Sequence, residues 1–278
     1  MRTEGSFKNK DAQNIIYTAF LPERPPKTAM VFVHGLGEHA AKYGYFGESA
    51  CEKGLAFFAY DQRGHGRSDG PRCHIDTLDD FTEDLRQFVE IAKIESLCDE
   101  VFVMGHSMGG LTALIFSMKY GDRIKGVIAS APVLRLVKPP SGIKAGIVDL
   151  FSRLFPRFTT PNRIPFGYLS HDLKLVEETK NDRYSQRILS FRLFTEMERG
   201  MKYALENAAA IRVPILLLHG TGDKVIDLSG TKDFYDRIVF RDKEIKLYDG
   251  LYHELLRETE RQEIIDYILN WIAKRAGR

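Results

Sequence analysis

Five short apolar runs, each broken off by a polar segment, constrain this chain more than anything else in it. They occupy residues 29–33, 55–60, 101–104, 126–130 and 214–218. None alternates polar with apolar, so each is apolar on both faces, the pattern of a strand buried on both sides of a sheet. Between them lie stretches with helical periodicity. Residues 77–96 put Phe81, Leu85, Phe88, Val89 and Ala92 on one face, with Thr77 expected as N-cap and Asp79 and Asp80 suited to the first turn. Further helices are expected over 43–53, 111–120, 231–240 and 259–274, an added strand over 244–248, and an opening hairpin over 6–21. Buried strands alternating with helices predict an α/β fold: a mostly parallel sheet with helices on both faces and functional loops beyond the carboxyl ends of the strands.

The alternation breaks between residues 131 and 212. That stretch holds Pro139, Pro140, Pro156, Pro161 and Pro165 and no evident buried strand. It reads as a helical cap, residues 133–207, inserted into a core made of 1–132 and 208–278. The 278 residues suit one such domain, and a net charge of +2 exerts no global pull on nucleic acid or membrane. Cys51, Cys73 and Cys98 are odd in number and without paired spacing, which fits a reducing compartment better than a disulfide framework. Residues 1–9 are polar, so no signal peptide is expected, and no uncharged apolar stretch is long enough to span a membrane. The expected setting is cytoplasmic.

One strand end carries a recognisable chemistry. Residues 101–110 read Val-Phe-Val-Met-Gly-His-Ser-Met-Gly-Gly, which places Ser107 on a sharp turn between a strand and a helix. This is a G-x-S-x-G nucleophile elbow: the serine is held strained and exposed, and Gly105 and Gly109 lack side chains that would strike neighbouring backbone. The pentapeptide alone is weak evidence, because Gly and Ser are common. It gains force if the remaining parts follow in order, first an acid and then a histidine. Three histidines lie downstream. His171 falls in the cap and His219 closes a buried strand, whereas His253 sits in the loop between the last strand and the last helix, where the base belongs. For the acid, Asp223 follows a buried strand within His-Gly-Thr-Gly-Asp. Asp227 reads better as a helix cap and Asp249 as a turn residue. The oxyanion would take one backbone N–H from Met108 and a second from the loop His34-Gly35-Leu36-Gly37, assigned to Leu36. No metal-ligand spacing and no dinucleotide fingerprint occurs, so neither metal nor cofactor is expected.

Taken together, His34-Gly35-Leu36-Gly37-Glu38-His39, Asp61-Gln62-Arg63-Gly64-His65-Gly66-Arg67-Ser68, Gly105-His106-Ser107-Met108-Gly109-Gly110 and the Asp223 and His253 loops resemble the monoacylglycerol lipase and lysophospholipase family of the α/β-hydrolase superfamily. The resemblance covers nearly the whole chain and is weakest in the cap. It implies hydrolysis of a single acyl ester on a glycerol backbone. It also implies that Glu38 helps hold the glycerol head and that Lys42 supplies a cation there. A second histidine after the catalytic one, present in vertebrate members, is replaced here by Leu255 and Leu256.

The cap points to lipid on separate grounds. Ile143, Ile147, Phe151, Leu154, Phe155 and Phe158 recur at helical spacing among Lys144, Arg153 and Arg157, the profile of a helix resting on an acyl boundary or lining an acyl tunnel. Phe151, Leu154 and Phe155 are therefore candidate substrate contacts, although a plain cap helix packed on the core would show the same spacing. Residues 133–207 hold 13 Lys and Arg against 8 Asp and Glu, which favours transient contact with an anionic membrane surface. The expected partner is a lipid ester, with no nucleic acid; oligomeric state is not legible. Rival readings are a broad carboxylesterase, a peptidase of the same fold, and a silent hydrolase-fold binding protein. The last is disfavoured because no triad member is missing.

Overall fold

The computed structural model describes residues 1–139 and 143–277. Strands β1 (Arg2–Lys8) and β2 (Asn14–Phe20) open the chain. Then come β3 (Ala29–Val33), α1 (Gly44–Glu52), β4 (Ala56–Tyr60), α2 (Asp79–Ser96), β5 (Val101–His106), α3 (Met108–Tyr120) and β6 (Gly126–Ser130). The segment before the next core strand holds α4 (Ile143–Leu154), β7 (Thr159–Pro161), α5 (Leu173–Asn181), β8 (Ile188–Ser190) and α6 (Phe191–Asn207). The chain closes with β9 (Ile215–Gly220), α7 (Leu228–Arg237), β10 (Lys243–Tyr248) and α8 (Arg261–Ala273).

Eight strands form one sheet in the order β1-β2-β4-β3-β5-β6-β9-β10. Only the β1–β2 and β2–β4 pairs are antiparallel. Every residue of β3, β4, β5, β6 and β9 is buried. Successive side chains on a strand point to opposite faces, so β3 sends Val31 and Val33 to one core and Met30 and Phe32 to the other. The first core is completed by α2, α3, α6 and α7, the second by α1 and α8. Each fully buried Phe or Leu contributes about 1.5–3 kcal/mol of transfer free energy, and that is what holds the helices against the sheet. The fold is the α/β arrangement expected, with its polar motifs gathered at one edge.

Two expectations need correction. Thr77 does not cap α2. Oδ2 of Asp80 accepts the Asp76 and Thr77 N–H groups, each at 3.1 Å, so the helix begins at Asp79 with the carboxylate of its own first turn closing the end. The stretch read as lacking an evident buried strand does hold two short strands, β7 and β8, paired antiparallel from Thr159↔Ser190 to Pro161↔Ile188, but they are mostly half-buried or exposed, so that expectation stands among the described residues. Strands of three residues, one ending in proline, carry no alternation to read. The periodic run to Phe158 is helical only as far as Leu154, because Pro156 disfavours a helical residue before it. The side chains of Ile143 and Lys144 lie outside the described residues.

Helix α6 bridges the two regions. It buries Leu193, Met197, Met201 and Ala204 in the first core, while the Ser152 and Thr195 hydroxyls, 2.8 Å apart, join α4 to its other side. The segment is tied back to the loops above the sheet. Gln186 N donates to Gly37 O at 2.8 Å, Ser190 N donates to Cys73 O at 3.0 Å, and His39 Nε2 meets Asp182 Oδ2 at 2.5 Å.

Candidate active site

The site begins with a backbone that has no freedom. Ser107 has φ 55° and ψ −118°, a strained conformation for a residue with a side chain. Its N–H donates to Ser130 O at 2.9 Å, and its carbonyl accepts from Leu111 N at 3.1 Å and Val133 N at 3.2 Å. The flanking glycines are steric necessities. A Cβ on Gly105 would lie 2.0 Å from Gly109 O, and one on Gly109 would lie 2.2 Å from Val33 O. The elbow therefore packs backbone to backbone on the end of β3, with the N-terminus of α3 directly beneath the hydroxyl.

The structure brings the three expected side chains together. His253 Nε2 lies 2.9 Å from Ser107 Oγ, and His253 Nδ1 lies 2.7 Å from Asp223 Oδ2. The other Asp223 oxygen, Oδ1, accepts from Val225 N at 2.8 Å and Ile226 N at 2.9 Å. Asp227 is the N-cap of α7, accepting from Ser229 N, and Asp249 accepts from the Thr221 hydroxyl in the neighbouring turn. His171 stacks on Tyr252, outside the triad, with ring centroids 3.7 Å apart.

His219, which closes the buried strand β9, also meets the carboxylate of Asp223. Its Nε2 lies 3.2 Å from Asp223 Oδ2 and 3.3 Å from Ile226 O, two acceptors, so this nitrogen carries the proton. Its Nδ1 then accepts from the Thr231 hydroxyl at 2.8 Å. Only the spacing His-x-x-x-Asp hinted at this.

Electrostatics follow from the contacts. Burial alone would raise the Asp223 pKa, but the His253 charge and the His219, His253 and backbone donors outweigh it and hold the carboxyl well below its usual range. Burial depresses His253, yet Asp223 outweighs burial and raises it above 6.5. His106, whose ring centroid is 4.9 Å from that of His253, is lowered to about 4, first by burial and next by His253, and stays neutral beside it.

The loop of residues 34–37 is braced from below. His34 Nε2 accepts from Gln62 N at 3.0 Å, which leaves Nδ1–H to donate to Gly35 O at 2.8 Å. Asp61 accepts from Ala40 N at 2.7 Å and Arg67 N at 2.8 Å. Among the described residues, neither the Leu36 nor the Met108 N–H has a hydrogen-bond partner. Glu38 is buried and partly engaged: Oε2 accepts from Gly35 N at 2.8 Å and the Tyr43 hydroxyl at 2.9 Å, and Lys42 Nζ stands 3.5 Å from Oε1. Burial would raise this carboxyl, but Lys42 foremost keeps it well below the usual range. Lys42 and Arg257, with Tyr45, Thr179 and Asp182, line a cavity of about 260 Å³ beside it. Among the described residues no group of His, Cys, Asp or Glu is arranged to hold a metal.

Phe151, Leu154 and Phe155 are exposed, whereas the triad side chains are buried. With Ile147, Leu150 and Phe158 they form an exposed apolar face, Leu154 being 62% exposed. Phe151 and Phe158 both lean on Phe191, with ring centroids 5.3 and 6.0 Å away.

Comparison with known proteins agrees with this geometry. Residues 24–260 match the family described as serine aminopeptidase, S33. A monoacylglycerol lipase of Mycolicibacterium smegmatis is 30% identical over 98% of this chain and 97% of its own. The crystal structure of the Paleococcus ferrophilus monoacylglycerol lipase matches with a TM-score of 0.86 at 28% identity, covering 94% of this chain and 99% of that one. A soluble variant of the Saccharomyces cerevisiae monoglyceride lipase, in complex with a substrate analog, shares the fold, with a TM-score of 0.88 at 22% identity over 99% of this chain and 96% of that one. The chain belongs to the monoacylglycerol lipase family of α/β-hydrolases, within the range of the serine aminopeptidase S33 description.

Proposed function

We propose that this protein hydrolyses the acyl ester of a monoacylglycerol or a related single-chain lipid through an acyl-enzyme on Ser107. The observation that carries the reading is the single imidazole of His253 spanning Ser107 Oγ and Asp223 Oδ2. His253 accepts the Ser107 proton as Oγ attacks the ester carbonyl, and Asp223 stabilises the imidazolium. The free N–H groups of Leu36 and Met108 receive the oxyanion. Collapse expels the alcohol, which takes its proton from His253. Water, deprotonated by the same ring, then attacks the acyl-enzyme and releases the fatty acid and Ser107.

Glu38, with Lys42 beside it, would hold the glycerol head; what supports this is that Glu38 lies next to the elbow, since a Cβ built on Gly35 would meet Glu38 Oε2 at 2.8 Å and Ser107 Cβ at 3.2 Å. The segment 133–207 serves as the cap. The exposed face of α4, flanked by Arg153 and Arg157, would rest on an anionic lipid surface while the body stays in the cytoplasm. Among the described residues no helix is long and apolar enough to cross a membrane.

Chain-length profiling of the purified protein tests the reading, with glycerol monoesters beside lysophospholipids and short soluble esters. Preference for medium or long monoesters supports it; equal rates on short esters would leave a broad carboxylesterase. The aminopeptidase description of the matching family favours one second reading, hydrolysis of aminoacyl amides. Turnover of aminoacyl amides faster than of monoacylglycerols would establish that instead.

A further inference from the structure

Among the described residues, the most completely buried carboxylate near the site outside the triad is Glu258, with no exposed surface and no Lys or Arg ion-paired to it. A carboxylate in that position needs several donors. Oε1 accepts from Tyr252 N at 2.8 Å and faces His171 Nδ1 at 3.0 Å. Oε2 accepts from His171 N at 2.8 Å, with the Ser170 hydroxyl at 3.2 Å. The same hydroxyl donates to Arg257 O at 2.7 Å. One side chain thus joins the loop that carries the catalytic histidine to the segment 170–171 of the cap.

The consequence lies in the residues flanking His253. The N–H before it, of Tyr252, is held by Glu258. The N–H after it, of Glu254, is held by Leu169 O at 2.7 Å, again from the cap. The Tyr252 ring is gripped between His171 and Lys224, whose Nζ lies 4.2 Å from its centroid. No atom of Glu258 is among those bonded to Ser107, Asp223 or the His253 ring.

We propose that Glu258 is a positioning residue for catalysis: it fixes the His253 loop against cap segment 169–172, so that the imidazole reaches Ser107 only while the cap is seated. This rests on the triad assignment above. Glu258→Gln is the informative change, because the amide keeps the shape but must turn an NH₂ towards the Tyr252 or the His171 N–H. A loss of alignment of about an ångström costs on the order of 10²-fold.

The test measures kcat and KM on a short soluble ester together with the downfield proton resonance of His253 Nδ1–H. The expected result is a kcat lowered about 10- to 100-fold, KM within about twofold, and a shifted or broadened resonance in a folded protein. Unchanged kcat and resonance overturn the proposal. If Glu258→Gln does not accumulate folded, His171→Leu carries the test, since that side chain is 43% exposed. A lowered kcat at constant KM is expected there, and an unchanged kcat overturns the proposal. Ser107→Ala measured alongside separates the two assignments. An inactive Ser107→Ala with a fully active Glu258→Gln removes only the positioning role, whereas an active Ser107→Ala removes the triad itself.

Discussion

Nε2 of His219 lies 3.2 Å from Oδ2 of Asp223, the same oxygen that His253 Nδ1 approaches to 2.7 Å. Asp223 is thereby held at that oxygen by a second imidazole, itself wholly buried and oriented by Thr231. A hydrogen bond to a charged group is worth about 1.5–3 kcal/mol. His219→Leu should lower the denaturant midpoint by a corresponding amount and reduce kcat through a looser Asp223. An unchanged midpoint would remove His219 from the account.

The pH profile follows from the sign of the His253 shift. The ring works as a base only when neutral, and Asp223 holds its pKa above 6.5. kcat/KM should therefore fall as pH drops through a value above 6.5. Asp223→Asn removes the charge that raises the ring, so the acid limb should move to lower pH while kcat falls about 10⁴-fold. A limb that stays in place would mean that another group titrates.

Two glycine substitutions should have opposite effects. Gly109→Ala drives a methyl to 2.2 Å from Val33 O and 2.4 Å from His34 O, both unyielding backbone. Overpacking of this kind costs about 1–3 kcal/mol or more, and here it also pushes the oxyanion loop off the elbow. Gly146→Ala in α4 meets nothing within 4 Å and should stabilise by a few tenths to about 1 kcal/mol. Thermal unfolding of both variants, with kcat for the first, checks the pair.

Leu150→Glu combined with Leu154→Glu probes the α4 face. Both side chains are largely exposed, so stability should change by no more than about 0.5 kcal/mol. Sedimentation with anionic vesicles should fall, as should turnover of emulsified long-chain ester, while the rate on a short soluble ester holds. Undiminished vesicle binding would separate α4 from any membrane role.

What was legible in the chain was local. Ser107, Asp223 and His253 each follow the carboxyl end of a strand, where a few consecutive residues declare both the turn and the chemistry. The parts that escaped reading depend on partners far along the chain. Glu258 meets His171 across 87 residues, and the carboxylate of Asp80 replaced a Thr77 cap that looked adequate in isolation. Strands β7 and β8 pair with each other alone, too short for any period to show. The apolar run of α4 was visible, but not that its large side chains face outward, because a periodic stripe does not say what lies against it.

The account turns on Ser107 as the nucleophile, and hydrolysis of a monoacylglycerol by purified Ser107→Ala tests that most directly. The elbow backbone is held by Ser130, Leu111 and Val133 rather than by the hydroxyl, so the variant should fold as the parent does. The prediction is a loss of at least about 10⁴-fold in kcat. Turnover within about tenfold of the parent, from a correctly folded protein, would contradict it.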